Sequence, residues 1–199
     1  LVLQVDTRVL VPRPDTEVLV DWANERLRAS KAAAPRVVDL GTGSGAIALA
    51  VAHAHPAVQL IATDLSEDAL AVARGNAARL GLGLQFAAGA WWQAVGEQRF
   101  DLALSNPPYI AAGDPHLAAL GHEPAAALSP GPTGLESLQA IVAEAAAHLA
   151  ASGWLLLEHG HDQAPAVRAL LETHGFEAID SRLDLAGHPR CTGGRRGRQ

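Results

Sequence analysis

The sequence predicts an α/β protein: a mostly parallel β-sheet with helices packed on both of its faces. Three observations carry that expectation. Short apolar runs alternate with stretches of helical periodicity along the chain, a pattern that places parallel strands between crossover helices. One such unit, from Arg36 to His55, reads as strand, glycine-rich turn and helix. The 199 residues are 49% apolar, enough for a single core that buries roughly 70% of the unfolded surface.

The elements follow in order. Val2, Val5, Val9 and Val11, set among polar residues, suggest two short extended segments, a β-hairpin linker over 1–12 that ends at Pro12. Pro14 suits the first position of a helix, and Leu19, Trp22, Ala23, Arg26 and Leu27 recur at helical spacing up to Pro35. Arg13, Asp15, Thr16 and Glu17 therefore occupy a helix entrance, where acidic groups either complement the helix dipole or meet a ligand. Arg36–Leu40 is a strand, Gly41-Thr42-Gly43-Ser44-Gly45 a turn, and Ala46–His55 a helix. Glycine has no Cβ to keep a ligand from the backbone N–H groups of such a turn. Gly41, Gly43 and Ala46 also satisfy G-x-G-x-x-A, so a dinucleotide fold has to be weighed.

Pro56–Thr63 is the second strand, ending at Asp64, where the carboxylate of a second strand meets a ribose diol in sheets of this kind. Helix capping is the rival role for Asp64, and Ser66 is available to do that instead. Glu67–Leu80 is helical and closed by Gly81, Leu84–Ala88 is a third strand, and the adjacent Trp91 and Trp92 must point to different sides, one to a ligand and one to the core. Phe100–Ser105 is the fourth strand, with Phe100, Leu102 and Leu104 expected on one side. Residues 111–132, rich in Pro, Gly and Ala, are long for a connection and suit a lid. Leu135–Leu149 and Gln163–His174 read as helices, Trp154–Glu158 and Phe176–Asp180 as strands, and a last strand lies within Ala186–Arg196.

A formal charge of -6 gives no electrostatic footprint for a nucleic-acid backbone. The basic group Arg190, Arg195, Arg196 and Arg198 reads as a solvated tail. The lone Cys191 fits a reducing compartment, and no apolar run is long enough to span a membrane, so a cytoplasmic location is expected. Neither His53 and His55, which face different sides of a helix, nor His159 and His161 form a metal-ligand set.

The stretch Asn106-Pro107-Pro108-Tyr109 follows the fourth strand directly. The prolines lack N–H groups and fix φ, so nearby carbonyls are not consumed by local turns, and the Asn106 side chain offers an acceptor and a donor beside an aromatic ring. A planar group bearing NH₂ fits such an arrangement; an ordinary turn is the plain reading of the same residues.

Here the residues resemble a known family. Asp39-Leu40-Gly41-Thr42-Gly43-Ser44-Gly45 resembles the first motif of class I S-adenosylmethionine-dependent methyltransferases, and Asn106–Tyr109 resembles the motif of those that methylate planar amino groups. Val9-Leu10-Val11-Pro12-Arg13-Pro14-Asp15-Thr16-Glu17 is the specific segment: with Asp114–Leu117, Glu123-Pro124 and Leu156–Gly160 it is similar to the HemK/PrmC release-factor glutamine methyltransferases. The resemblance implies a Rossmann-like class I methyltransferase fold over 13–199, with a seven-stranded sheet whose last strand is antiparallel. It implies methyl transfer from S-adenosylmethionine, leaving S-adenosylhomocysteine, to the side-chain amide nitrogen (N5) of the glutamine in the Gly-Gly-Gln motif of peptide chain release factors. By the same resemblance Asp39, Gly41, Thr42, Gly43, Ser44 and Gly45 hold the cofactor's methionine and ribose end, Asp64 binds the ribose hydroxyls, and Trp91 lies along the adenine. Asn106 touches cofactor and substrate; Asn106, Pro107 and Tyr109 are the implied catalytic residues, and Pro108, Arg13 and Glu17 join them in substrate binding. The implied enzyme is a monomer that needs no metal. The sequence departs from the family at Ala90, where an acidic residue often precedes the aromatic, and it is expected to begin after the family's small helical N-terminal domain.

Other readings stay open on the residues alone. An exocyclic amino group of adenine or guanine in nucleic acid would fit the same pocket, giving an N6-adenine or N2-guanine methyltransferase. The glycine pattern also suits a nicotinamide-dependent oxidoreductase, which leaves Asn106–Tyr109 unexplained, or a nucleotide-binding module without catalysis.

Overall fold

Val37, Val38 and Leu40 are fully buried in the first strand, β1 (Arg36–Leu40), because that strand lies in the middle of the sheet with helices over both faces. The computed structural model describes residues 1–121 and 123–197. Within them β2 (Gln59–Asp64), β3 (Gln85–Ala88), β4 (Phe100–Ser105), β5 (Leu149–Glu158), β6 (Phe176–Leu183) and β7 (Pro189–Arg196) complete a seven-stranded sheet in the order β3-β2-β1-β4-β5-β7-β6. All neighbours are parallel except β7, which runs antiparallel to β5 and β6, as expected. The order reverses between β1 and β4. A crevice opens beyond their carboxyl ends at such a switch point, and the site lies there.

The crossover helices are α1 (Glu17–Ala29), α2 (Ala46–Ala54), α3 (Glu67–Leu80), α4 (Glu136–His148) and α5 (Ala164–Thr173). Alternation along β5 divides the core in two: Leu155 and Leu157 pack with Trp92, Ile141 and Val167, while Leu156 joins Leu19, Trp22, Ile47 and Leu104 on the other face. Trp92 is the core tryptophan. It is 1% exposed, stacks on His148 and donates its Nε1–H to the Ile141 carbonyl at 2.8 Å.

Three expectations need correction. Phe100 does not share a side with Leu102 and Leu104, because the β4–β5 register shifts between Phe100 and Leu102 and turns the ring to the opposite face. Residues 1–12 contain no strand and no hairpin. A side chain replaces the partner strand: the Asn76 carboxamide accepts from Gln4 N at 2.8 Å and donates to the Gln4 carbonyl at 2.9 Å, while Val9 buries itself against Ala69 and Val72 of α3. Arg190, Arg195 and Arg196 belong to β7 and not to a loose tail; Arg198 lies outside the described residues. No helix is long and apolar enough to cross a membrane among the described residues.

Candidate active site

The turn after β1 is built from below by Asp39. Its buried carboxylate accepts the Thr42 hydroxyl at 2.6 Å, and Thr42 N donates to the Thr63 carbonyl at 2.8 Å, so the turn is fastened to both β1 and β2. Complete burial raises the Asp39 pKa from the carboxylate range to about 7, against the opposing pull of the Thr42 hydroxyl. Two glycines combine a left-handed backbone with a crowded Cβ position. Gly41, at φ +74°, would carry a Cβ only 3.2 Å from Trp91 Cζ3, so its lack of a side chain lets the indole lie on the turn. Gly45, at φ +83°, starts α2, where a Cβ would meet Leu49 and Ala73 at 3.0 and 3.2 Å.

Asp64 ends β2 and ties the next elements together. Its Oδ2 accepts Gly43 N and its Oδ1 accepts Ser66 N, each at 2.9 Å. Ser66, as expected, caps α3 through Ala69 N. Trp91 has φ +46°, a conformation costing a bulky residue on the order of 1–3 kcal/mol.

On the other side of the switch, the Ser105 hydroxyl donates to the Leu40 carbonyl at 2.6 Å and locks the ends of β4 and β1 together. Asn106 follows, and its Nδ2 donates to Thr16 Oγ1 at 3.3 Å. A cavity of about 370 Å³ lies between these walls, within the roughly 300–1,000 Å³ of small-molecule sites. Gly41, Thr42, Gly43, Ser44, Asp64 and Trp91 line one side; Asn106, Pro108, Thr16 and Arg13 line the other. Described residues of the 123–132 stretch form the roof: Ile110 and Ala112 N–H groups bond back to the Leu128 and Gly131 carbonyls, and Pro124, Ala126, Ala127 and Pro130 face the cavity. Arg13 clamps this roof through Glu123, whose carboxylate it meets at 2.8 and 2.9 Å.

Several expected residues sit elsewhere. Asp39 and Gly45 support the turn without lining the cavity; Pro107 is buried behind it, and Glu17 is exposed on the first turn of α1, where its charge complements the helix dipole. Tyr109 also turns away, because its hydroxyl donates to Glu158 Oε1 at 3.4 Å and its ring packs on the core. Burial pushes its phenol pKa up.

The sequence reading named Thr16 at the helix entrance and Glu158 within a family-like segment but gave neither a role in the site. Glu158 is 1% exposed, and burial raises its pKa to about 7 although Thr16, Arg190 and Tyr109 favour its charge. A carboxylate closing the apolar run Trp154–Leu157 was the available signal, since a charge there has no surface to reach. The N-terminal wall residues Arg8, Val9 and Leu10 were also missed.

Residues 16–127 match the family model described as the methyltransferase small domain. The chain is 50% identical over 194 residues to a release factor glutamine methyltransferase of Xylella fastidiosa, covering 96% of this chain and 70% of that protein. It is 52% identical over 189 residues to the protein of that name from Bordetella pertussis, covering 94% and 69%. Among solved structures, a methyltransferase from Pyrococcus furiosus superposes with a TM-score of 0.72 at 18% identity, covering 98% of this chain and 89% of that one. A T. thermophilus 16S rRNA N2 G1207 methyltransferase, in complex with AdoMet and guanosine, gives 0.69 at 22% identity, covering 94% and 44%. These two likenesses concern the fold. With the glycine turn and Asn106 facing each other across one cavity, and with close relatives matched over nearly the whole sequence, the chain belongs to the release factor glutamine methyltransferase family.

Proposed function

We propose that this chain transfers a methyl group from S-adenosylmethionine to the side-chain amide nitrogen of the glutamine in the Gly-Gly-Gln motif of peptide chain release factors. The observation that carries the reading is the cavity itself, which has the glycine turn and an acidic strand end among its lining on one side and the Asn106 carboxamide on the other. The residues present suit the cofactor: the missing Cβ of Gly41 leaves the Trp91 indole along the turn, and Asp64 lines the same cavity at the end of β2, where a ribose diol would be met.

When bound, S-adenosylmethionine supplies an electrophilic methyl group on a sulfonium. A carboxamide nitrogen is a poor nucleophile because its lone pair is delocalised into the carbonyl. Asn106 Oδ1, on the cavity wall, would accept one of its hydrogens. The nitrogen is then aimed at the methyl carbon, and such positioning is worth up to about 7–11 kcal/mol of barrier. The same acceptor would stabilise positive charge as an N–C bond forms and the S–C bond breaks, its electron pair staying on sulfur to leave S-adenosylhomocysteine; the extra proton would then leave the acidified nitrogen to water. Trp91 and the roof exclude bulk water. Tyr109 supports this frame from behind, through Glu158. The enzyme is read as a cytoplasmic monomer that acts on a protein.

Mass spectrometry after incubation with S-adenosylmethionine tests the reading. Methylation of the motif glutamine in a release factor, with none on an adenine- or guanine-containing oligonucleotide, is the expected result. Methyl transfer to the oligonucleotide alone would overturn it.

A further inference from the structure

The carboxyl end of β5 is flanked by two residues of different strands. On one side β4 pairs with it up to Ser105 opposite Leu157 and runs on into Asn106. On the other, β7 pairs Cys191 with Glu158, which puts Arg190 beside the strand end. The short helical turn Pro14–Thr16, which leads into α1, lies across this end, and its last two residues reach to opposite flanks. Asp15 Oδ2 meets Arg190 Nη2 at 3.2 Å, and Thr16 Oγ1 accepts Asn106 Nδ2 at 3.3 Å.

Arg190 is a fixed point. Its carbonyl accepts His159 N at 3.0 Å, which holds its backbone to the chain leaving β5. Its side chain is mostly buried and donates from Nε and Nη2 to Asp184 Oδ2 at 3.4 and 3.2 Å. Asp184 is fixed in turn, because its Oδ1 accepts Ala186 N and His188 N at 2.9 Å each and closes the turn between β6 and β7. Nη2 carries two hydrogens in the rigid plane of the guanidinium, so once Asp184 holds one edge of that plane the place of Asp15 follows.

We propose that Asp15, held by Arg190, is a positioning residue for methyl transfer: it sets Thr16, and Thr16 fixes the Asn106 carboxamide that receives the substrate amide. The inference rests on the glutamine reading given above. Thr16 lines the cavity and Asp15 does not, so the ion pair reaches the reaction through its neighbour. With Nδ2 engaged by Thr16, Oδ1 is the end left for a substrate NH₂. Holding the fold together is the work of other groups. Leu19, Trp22, Ala23 and Leu27 anchor α1 by burial, whereas the Asp15 side chain is 45% exposed, where an ion pair adds little to stability.

The experiment compares kcat and KM on a release factor, thermal melts, and the Asn106 side-chain NH₂ signals of the free protein by ¹⁵N NMR, assigned by their loss in Asn106→Ala. Thr16→Val keeps the shape of the side chain without its oxygen and should lower kcat about ten- to a hundredfold. Asp15→Ala should lower kcat about five- to tenfold and move the Asn106 signals, with KM for S-adenosylmethionine and Tm close to wild type. Asp15→Asn, which keeps an oxygen for Arg190, should recover most of the loss. The double variant Asp15→Ala/Thr16→Val should be no slower than Thr16→Val, because both changes break one chain of contacts. Glu25→Ala removes an exposed acid farther along α1, paired with Arg26 and Arg182, and should leave kcat and the signals unchanged. Wild-type kcat or unmoved Asn106 signals in Asp15→Ala, additive losses in the double variant, or an equal loss in Glu25→Ala would overturn the proposal. If wild type methylates no release factor, the functional reading fails; the NMR comparison still decides whether Asp15 positions Asn106.

Discussion

Adding a single methyl group at Gly41 probes the cofactor side of the site. In Gly41→Ala the new side chain has two consequences. Its φ of +74° costs an L-residue roughly 1–2 kcal/mol, which for a chain of this size lowers Tm by about 2–8 °C. The Cβ also stands 3.2 Å from Trp91 Cζ3 and 3.7 Å from Cη2, so the indole must retreat by a few tenths of an ångström into the space assigned to adenine. Displacing that surface should weaken S-adenosylmethionine binding at least about tenfold, or 1.4 kcal/mol. Gly81 provides the control. It has φ +66°, closes α3, and a Cβ there meets nothing within 4 Å, so Gly81→Ala should show the loss in Tm with cofactor affinity unchanged. Calorimetric titration and thermal melts of the three proteins separate the two effects. Equal cofactor affinity in Gly41→Ala and wild type would refute the assignment of Trp91 and the turn to the cofactor.

Further outcomes are expected. Asn106→Ala should reduce turnover about a hundredfold or more while leaving the circular dichroism spectrum and Tm close to wild type; near-normal turnover removes Asn106 from the mechanism. Arg13→Ala loosens the roof by removing the two-pronged contact of its guanidinium with the buried Glu123 carboxylate, so limited proteolysis within residues 111–132 should accelerate; an unchanged cleavage rate contradicts the clamp. The folded-state pKa of Asp39 lies above its ordinary value, so the folded protein binds the extra proton between about 4 and about 7, and this group's contribution to stability falls as pH rises through that window. Denaturant titrations should show wild type losing stability relative to Asp39→Asn across that window, and a constant difference would refute the buried-charge assignment.

The regular elements were legible where periodicity and punctuation agree: Arg36–Leu40, Glu67–Leu80 and Phe100–Ser105 stand where the pattern puts them. The split between Trp91 and Trp92 was legible too, because neighbours in a tight turn point apart. What failed depended on partners distant in sequence. The valines near the N-terminus resemble a hairpin, but Asn76, some seventy residues on, satisfies their backbone and α3 buries Val9. Phe100 changed faces because of a register shift set by β5. Tyr109, within a motif read as a pocket, is drawn backwards by a carboxylate at the end of β5, a contact with no local signature. The glycine turn and Asn106 were identifiable from local chemistry; the Thr16 hydroxyl that meets Asn106 comes into place only once the strands are ordered.

The central claim is geometric, and one structure decides it: this chain crystallised with S-adenosylhomocysteine and a peptide containing Gly-Gly-Gln. The account predicts the thioether on the Gly41–Gly45 side, the adenine along Trp91, and the glutamine carboxamide nitrogen hydrogen-bonded to Asn106 Oδ1 and pointing at the sulfur. A peptide bound elsewhere, or an Asn106 that presents Nδ2 to it, would contradict the account.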